Sequence, residues 1–265
     1  MKQSKNFMKN KSSHKLSIVM PVRNEGVNIK IMLQILNAVI EYPYETLIVC
    51  DTLEDDSIPV VKKLQPKYPN LKLVHNQLGR GVINAIKSGV NNASGDYILI
   101  FAVDEIGPVL AIEDMISLME EEGCDLVSCT RYAHGGRRLG GNLIGGILSR
   151  LANRMFSYLC GSKFTDATTG IKMFKKSVFK ELEFNAKPVG WAVVFEMAIK
   201  FQMHGCLLGE VPIVSIDRLY GGVSSFRLGP WVKEYLKWFF YGVRNLRSHK
   251  NLRDVKIKIP TTTIW

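Results

Sequence analysis

No stretch of this sequence is apolar for long enough to cross a lipid bilayer. A membrane-spanning helix needs about 20 consecutive apolar residues, and even the stretch 189–201 contains Glu196 and Lys200. Residues 1–14 are basic and polar and lack the apolar centre of a secretory signal. We therefore expect neither a membrane span nor secretion, and we interpret residues 1–14 as a disordered basic arm.

Cysteine pairs and several common catalytic motifs are also missing. The five cysteines form no Cys-x-x-Cys pair, which argues against a disulfide framework or a zinc site and favours reduced thiols in the cytosol. The sequence has no Walker loop, no Gly-x-Ser-x-Gly elbow and no His-Glu-x-x-His helix. The segment around Gly79 resembles a dinucleotide fingerprint only loosely, because the third glycine is absent, so a dehydrogenase is disfavoured.

Positive charge is what the sequence has in excess. The formal net charge is +11, whereas the hydrophobic fraction of 46% is ordinary for a globular protein. A positive field concentrates anions, so we expect an anionic partner, which is a phosphate compound, a nucleic acid or an acidic lipid. At 265 residues, the chain is long enough to bury a full core.

Strand-like and helix-like segments alternate from Lys15 to Thr130. Repeated units of this size predict an α/β fold with a doubly wound, mostly parallel sheet and helices on both faces. The second half is more elaborate, with glycine-rich loops, and we treat 15–228 as one domain and 229–265 as a basic amphipathic helix and tail. The predicted strands are 16–22, 46–50, 71–74, 97–103, 125–130, 171–174 and 207–216, and the predicted loops are 132–142 and 220–226.

Polar side chains follow the ends of several predicted strands. In a parallel sheet these ends share one edge, where ligands bind. Helix capping explains any one of these polar groups, but it explains their convergence less well. We therefore place a functional site at this edge, with candidates at Asn24, Glu25, Asp51, Arg80, Gly81, Asp104 and Glu105.

The residue types at this edge suit a nucleotide that carries a diphosphate. An acid such as Asp104, at the end of a buried strand, is suited to Mg²⁺ or Mn²⁺ bound together with diphosphate oxygens and water. Asp51 is a candidate acceptor of hydrogen bonds from a base or a ribose. Arg80 and Gly81 precede a predicted helix, whose N-terminus favours a phosphate.

Nine short motifs, in this order and spacing, resemble those of the family 2 glycosyltransferases of the GT-A fold. Within that family, the sequence is most similar to the polyprenol (dolichol) phosphate mannosyltransferases and their glucosyl relatives. The likeness extends from about Leu16 to Phe226. The motifs are MPVRNEG, IVCD, GRGVINAIKSG, ASGDYILIFAVDEIGP, SCTRYAHGG, TDATTGIKMFKK, VGWAVVFEMAIK, EVPI and DRLYGGVSSFRL.

The resemblance implies a role for individual residues. Asp104 matches the last carboxylate of the family's Asp-x-Asp metal motif, and Arg131 matches an arginine that faces the acceptor phosphate. Glu196 lies where the family keeps an acid near the sugar. By the same resemblance, Pro21, Asn24 and Glu25 line the nucleotide pocket, Asp51 contacts the base, and Arg218 and Ser224 belong to a mobile loop that closes over the site.

The sequence departs from the family pattern at the metal motif. The triplet is Ala102-Val103-Asp104, so the first aspartate is replaced, and Glu105 or water are the candidates for the vacant ligand position. The family's glutamine two positions after the motif is Ile106 here. The C-terminal membrane spans of some relatives have no counterpart in this sequence.

The resemblance implies a mechanism in which an acceptor oxygen attacks the anomeric carbon opposite the diphosphate and inverts that centre. A phosphate acceptor is already ionised at pH 7 and needs no strong base, whereas a hydroxyl acceptor needs one. Asp166 and Glu196 are the candidate bases for a hydroxyl. A helix cap or a structural ion pair is an equally good interpretation of either residue.

The excess positive charge is concentrated near the C-terminus. Residues 227–258 interleave lysines and arginines with aromatic residues, which suits the surface of an anionic membrane. Alternatively, Trp231, Trp238 and Phe239 pack on the domain and the basic residues are only solvated. No nucleic-acid recognition motif is present.

We therefore expect an inverting glycosyltransferase that moves a sugar from a nucleotide-diphosphate sugar to a polyprenyl phosphate. We expect it to be cytoplasmic and peripheral at the inner face of the membrane. Two alternatives remain: a glycosyltransferase that acts on a saccharide or lipid-saccharide hydroxyl, and a non-catalytic protein that binds nucleotide sugars.

Overall fold

The computed structural model describes residues 15–140, 143–216, 228–249 and 252–260. The expectations for the arm at 1–14, for the loop at 220–226 and for Arg218 and Ser224 lie outside these residues.

The first half of the chain forms the alternating units that the sequence predicts. Each strand is a short apolar run, and each helix buries one apolar stripe against the sheet. The elements are β1 (Leu16–Val22), α1 (Gly26–Val39), β2 (Tyr44–Cys50), α2 (Ser57–Leu64), β3 (Leu71–His75), α3 (Val82–Asn92), β4 (Tyr97–Ile100), a 3₁₀ turn (Gly107–Ala111), α4 (Ile112–Glu120) and β5 (Leu126–Thr130).

In the second half, the helices that the sequence predicts at 143–159, 192–204 and 228–246 are present to within one residue, whereas the helix α6 (Lys176–Glu181) was not predicted and the strands differ. Its elements are β6 (Arg137–Leu139), α5 (Leu143–Cys160), β7 (Lys172–Lys175), α6 (Lys176–Glu181), α7 (Ala192–Met203), β8 (Leu208–Pro212), β9 (Val214–Ile216), α8 (Leu228–Asn245) and β10 (Val255–Ile257).

Two predictions in this half were wrong, one of a loop and one of a strand. The segment 132–142, predicted as a loop, contains β6, which pairs with β9 in a separate small sheet. The single strand predicted at 207–216 is divided at Ile213. The Ile213 N–H donates to Thr130 in the large sheet, and its carbonyl accepts from Arg137 in the small one. The chain therefore changes sheets at Ile213.

The large sheet has eight strands in the order β10-β8-β5-β7-β4-β1-β2-β3. All neighbouring pairs are parallel except those that involve β7, which is antiparallel to both β4 and β5. The predicted α/β class with a mostly parallel sheet is confirmed. Because β7 runs in the opposite direction, the loop before it lies at the same edge as the C-terminal ends of β4 and β5.

Alternate strand residues face opposite sides of this sheet and belong to two hydrophobic clusters. Val19 of β1 packs in one cluster, with residues of α3, α5, α7 and α8. Ile18 and Met20 pack in the other, with residues of α1 and α4. All five cysteines are buried and have free thiols.

The aromatic face of α8 packs on the domain. Trp238 is 3% exposed, and the rings of Phe239 and Phe156 are 5.5 Å apart at their centroids. This is the alternative that the sequence left open for these residues. Among the described residues, no helix is long and apolar enough to cross a membrane.

Candidate active site

The loop after β1 is held by the segment that follows β2. Asn24 has a left-handed backbone with φ of 57°, and its N–H donates to the buried carboxylate of Asp55 at 3.1 Å. The next N–H, of Glu25, donates to Ser57 Oγ at 3.0 Å. Sequence reasoning missed Asp55 and Ser57, although an acidic run that ends in serine before a helix is a helix-start signal.

Asp51 organises the loop 79–81, which we call the donor loop. One carboxylate oxygen accepts from Asn76 Nδ2 at 2.7 Å, and the other accepts from the Gly81 N–H at 2.9 Å. Asn76 Nδ2 also donates to the Gly79 carbonyl at 2.7 Å. Asn76 was missed, and its position directly after a strand was the available signal. The Arg80 side chain is exposed at the tip of this loop.

Gly81 needs to be glycine for two reasons. Its φ is 120°, which an L side chain rarely adopts. A Cβ at this position would lie 2.5 Å from the Cβ of Pro188. The backbone of the donor loop is therefore in direct contact with the segment that contains Pro188.

The half-buried residues Asp104 and Glu105 lie in the turn after β4. The strand ends at Ile100, three residues earlier than predicted. Glu105 accepts a hydrogen bond from Ser215 Oγ of β9 at 3.1 Å, and a Cβ on Gly107 would collide with the carbonyl of Val214 in that strand. The small sheet thus holds this turn in place.

The two carboxylates at this turn are enough for a divalent cation that takes most of its other ligands from a bound diphosphate and from water. No group of three or more His, Cys, Asp or Glu side chains within the described part of the chain is arranged to bind a metal. Ala102 is partly buried against the core and supplies no ligand. Mg²⁺ and Mn²⁺ need only one or two carboxylates when diphosphate and water fill the other positions, and Asp104 and Glu105 offer that number.

Arg131, which follows β5, forms a two-pronged ion pair with Asp166 in the loop before β7. The distances are 2.7 Å from Nε to Oδ2 and 3.0 Å from Nη2 to Oδ1. Asp166 is fully buried, and the Arg131 side chain is 16% exposed. Burial alone would raise the pKa of Asp166, but the charge and hydrogen bonds of Arg131 outweigh it and lower that pKa. Both groups are therefore charged.

Two further buried ionisable residues, Glu210 and Lys172, lie near this pair. Glu210 accepts from the Thr165 N–H at 2.8 Å and from the Asp166 N–H at 3.2 Å, and Lys172 Nζ donates to Ser128 Oγ at 2.7 Å. Burial raises the pKa of Glu210 to about 7 and lowers that of Lys172 to about 8. Sequence reasoning missed both, although each is an ionisable residue inside a predicted apolar strand.

Glu196 is fully buried in α7 and has several partners. It accepts from the N–H groups of Asn185 and Ala186 at 2.7 Å each, and it pairs with Lys200 at 2.7 Å. These are contacts of the structural kind that the sequence left open for this residue. Its role as a base stays a prediction.

The fold brings the predicted residues to one edge in two groups. The loop at Asn24 and Glu25 and the donor loop with Asp51 follow β1, β2 and β3, and half-buried Pro21 lies in β1 beside them. Asp104, Glu105, Arg131 and Asp166 follow or precede β4, β5 and β7. Glu105 is close enough to Arg131 to contribute to raising its pKa, although Asp166 contributes more.

Comparison with known proteins gives a family match and several relatives. The model of glycosyl transferase family 2 matches residues 17–183. A dolichol-phosphate mannosyltransferase of Pyrococcus furiosus is 26% identical over 85% of this chain and 63% of its own length. An undecaprenyl-phosphate 4-deoxy-4-formamido-L-arabinose transferase of Yersinia enterocolitica is 28% identical over 63% of this chain and 51% of its own length. This chain thus spans less than two thirds of either relative.

Solved structures show the same fold at low identity. Glucosyl-3-phosphoglycerate synthase from Mycobacterium tuberculosis, in complex with Mn²⁺, UDP and glucosyl-3-phosphoglycerate, has a TM-score of 0.67 at 16% identity, over 92% of this chain and 88% of its own. Mannosyltransferase PcManGT from Pyrobaculum calidifontis, in complex with GDP-Man and Mn²⁺, has a TM-score of 0.62 at 18% identity, over 87% of this chain and 64% of its own. The predicted GT-A fold is confirmed.

Proposed function

This chain belongs to glycosyl transferase family 2, and from that membership we propose that it moves a sugar from a nucleotide-diphosphate sugar to a polyprenyl phosphate. The observation that carries the proposal is the shared edge of the sheet, which has a loop suited to a diphosphate on one side and the Arg131–Asp166 pair on the other. The names of the two curated relatives, which act with dolichol and undecaprenyl phosphates, support the lipid phosphate acceptor.

The donor binds at the ends of β1 to β4 in this proposal. Asp51 and Pro21 flank the nucleoside, while the donor loop and the N-terminus of α3 receive the diphosphate, since helix N-termini attract anions. Asp104, with Glu105 beside it, would hold Mg²⁺ or Mn²⁺, which when bound would supply positive charge for the departing nucleoside diphosphate.

The acceptor phosphate binds at Arg131. An arginine guanidinium suits this position because it is always charged and carries five N–H donors, so that donors remain after it has bound a carboxylate. Asp166 orients the guanidinium through Nε and Nη2, which leaves Nη1 as the group that we assign to the phosphate. The phosphate oxygen attacks the anomeric carbon, the bond to the diphosphate breaks, and no proton has to be removed.

The ion pairs of the two candidate bases favour a phosphate over a hydroxyl acceptor. The Asp166 carboxylate is bound to Arg131 through both oxygens, and both oxygens of Glu196 accept backbone N–H groups. Burial would raise the pKa of Asp166, but the charge of Arg131 lowers it, so Asp166 is a weaker base than a free carboxylate. A phosphate is already ionised and does not need one.

The outer faces of α5 and α8 support a lipid acceptor. These helices pack together through Phe156 and Phe239, and each exposes a stripe of apolar side chains with helical spacing. Arg150, Arg154, Lys233 and Lys237 are exposed on the same helices. We define this membrane face as Ile147, Leu148, Leu151, Met155 and Tyr158 of α5 with Val232, Leu236 and Phe240 of α8.

The test is turnover by the purified protein with a panel of nucleotide sugars, Mn²⁺ and a short polyprenyl phosphate. We expect one nucleotide sugar to release its nucleoside diphosphate and to form a glycosyl phosphate of inverted configuration. Asp104→Asn should abolish this release, whereas Asp96→Asn, an exposed acid at the opposite end of β4, should not. Absence of release with every donor contradicts the proposal.

A hydroxyl acceptor is the second candidate, and Arg131→Lys separates it from the first. Lysine keeps the positive charge beside Asp166 but has no counterpart of the Nη1 group that we assign to the phosphate. A loss of about a hundredfold in kcat/KM indicates a phosphate acceptor, and a loss below about threefold indicates a hydroxyl. The non-catalytic alternative predicts that Ala102→Asp raises Mn²⁺ affinity without producing turnover.

A further inference from the structure

A short segment between α6 and α7 touches both the donor loop and helix α8. We call residues 185–190 the bridging segment. Pro188 in this segment lies against Gly81, where an added Cβ would be 2.5 Å from the Pro188 Cβ and 3.0 Å from its carbonyl oxygen. The Gly81 N–H donates to Asp51 at 2.9 Å. A displacement of Pro188 would therefore change the donor loop directly.

Helix α8 holds the bridging segment through Glu234. This side chain is 4% exposed, and a single oxygen, Oε1, accepts from the Lys187 N–H at 3.0 Å. The same oxygen accepts from Trp238 Nε1 and from Lys237 Nζ, each at 3.1 Å. A buried carboxylate with three donors has a well-defined position, so the Lys187 backbone next to Pro188 is fixed by α8.

A second contact from α8 acts on the other end of the bridging segment. Gly190 has φ of 53°, and a Cβ there would lie 2.5 Å from the indole of Trp231. From the opposite side, Glu196 of α7 binds the N–H groups of Asn185 and Ala186. The bridging segment is thus fixed by two helices and meets the donor loop at Pro188.

We propose that Glu234 and Trp231 of α8 are positioning residues for the nucleotide, because they hold the bridging segment against Gly81 and so keep the donor loop in its binding shape. The inference rests on the proposed function only in assigning the diphosphate to the donor loop. Helix α8 also carries part of the membrane face, so one helix would connect the lipid surface with the donor site.

Hydrogen exchange of the ligand-free protein tests the coupling without any nucleotide. In Glu234→Ala, we expect peptides that cover residues 78–84 to exchange about tenfold faster than in the wild type, because Gly81 loses its brace. Glu234→Gln keeps an oxygen that can accept from the Lys187 N–H, so its exchange rates at residues 78–84 should be close to those of the wild type. Glu183→Ala, which removes an exposed acid just before the bridging segment, is the matched control and should not differ. Faster exchange confined to residues 185–190 would overturn the proposal.

Titration with UDP and with GDP, each in the presence of Mn²⁺, tests the effect on binding. Whichever nucleotide the wild type binds should bind about tenfold more weakly to Glu234→Ala, the loss expected when the donor loop keeps its binding shape only about a tenth of the time. In turnover, KM for the donor should rise while kcat changes less than about twofold. A purely structural role would lower kcat through the active fraction and leave KM unchanged.

The two proposals fail in different ways. If the wild type binds neither UDP nor GDP, the titration is repeated with the diphosphates of the other bases; failure of all of them shows that the donor assignment is wrong, and hydrogen exchange alone then decides the coupling. If Glu234→Ala binds the nucleotide as tightly as the wild type, the positioning role is wrong. If Glu234→Ala does not fold, Trp231→Phe takes its place, since a smaller ring leaves Gly190 less well packed and should weaken nucleotide binding at unchanged kcat.

Discussion

Two residues at the proposed acceptor side of the site, Arg131 and Asp166, are charged and mostly buried, which makes their pairing energetically important. Asp166 is fully buried, and its charge is balanced by Arg131 at 2.7 Å. Removing one partner of such a pair leaves an uncompensated charge, whereas removing both does not. The pair that we propose for acceptor binding is therefore also important for stability.

We expect Arg131→Ala to lower the free energy of unfolding by about 3 to 5 kcal/mol, because Asp166 loses its counter-charge. The double variant Arg131→Ala with Asp166→Ala should be less destabilised than the sum of the two single variants. Chemical denaturation of all four proteins measures this coupling. Lys163→Ala, which breaks an exposed pair with Asp254, is the control and should leave stability almost unchanged. Additive effects at Arg131 and Asp166 would contradict the account.

Glu210 predicts a specific dependence of stability on pH. Burial raises its pKa from 4.5 to about 7. A raised carboxyl pKa means that the stabilising contribution of the protonated form is complete below about pH 4.5 and is lost as the pH rises to about 7. Relative to Glu210→Gln, which is neutral throughout, the wild type should lose about 3 kcal/mol across this window.

Denaturant unfolding of both proteins between pH 4 and pH 8 measures the difference. The difference should be flat above about pH 8, where Glu210 is ionised in both the folded and the unfolded protein. A difference that does not change with pH would show that the pKa of Glu210 is the same in the folded and the unfolded protein, which would contradict the account.

The partners of such residues could not be predicted from the sequence. The site candidates Asp51, Asp104 and Arg131 follow strands, and a residue after a strand is visible in the pattern. Glu210 contacts Thr165 across 45 positions, and no periodicity reports a contact between loops so far apart. Asp55 and Ser57 had a local signal, but their bonds to the loop at Asn24 depend on the tertiary fold.

At the scale of elements, the β-strand and α-helix units of the first half were predictable because each forms from adjacent residues. Apolar runs and amphipathic stripes identify them locally. The three-residue strands β6, β9 and β10 were missed or merged. They are too short to carry a pattern, and each is defined by a partner strand that is distant in the sequence.

Helices α5 and α8 provide the prediction that belongs to this scale. The double variant Leu151→Ser with Phe240→Ser should bind vesicles that contain phosphatidylglycerol at least about tenfold more weakly, since each buried apolar side chain contributes about 1.5 to 3 kcal/mol. Its melting temperature should not change, because Leu151 is 52% exposed and Phe240 is 64% exposed. Vesicle co-sedimentation measures the binding.

The matched control is Leu110→Ser, which removes an apolar side chain that is 75% exposed beside α4. It should sediment with vesicles as the wild type does. Equal binding by the double variant and the wild type would mean that the membrane face does not contact lipid.

At the scale of the whole molecule, the central claim is that one edge of the large sheet holds donor and acceptor together. The parallel order of β4, β1 and β2 brings the loops that contain Asp104, Asn24 and Asp51 to one edge, and antiparallel β7 adds Asp166. The alternation of strands and helices predicted this edge. It did not predict the bridging segment, because the contact of this segment with the edge depends on how α7 and α8 pack against it.

The most direct measurement of this claim is anomalous diffraction at the manganese edge from crystals grown with Mn²⁺ and the nucleoside diphosphate that binds. We expect a manganese peak about 2 Å from a carboxylate oxygen of Asp104, with the diphosphate bound between that metal and the donor loop and the nucleoside beside Asp51. A nucleotide bound elsewhere, or a metal that does not contact Asp104, would contradict the account.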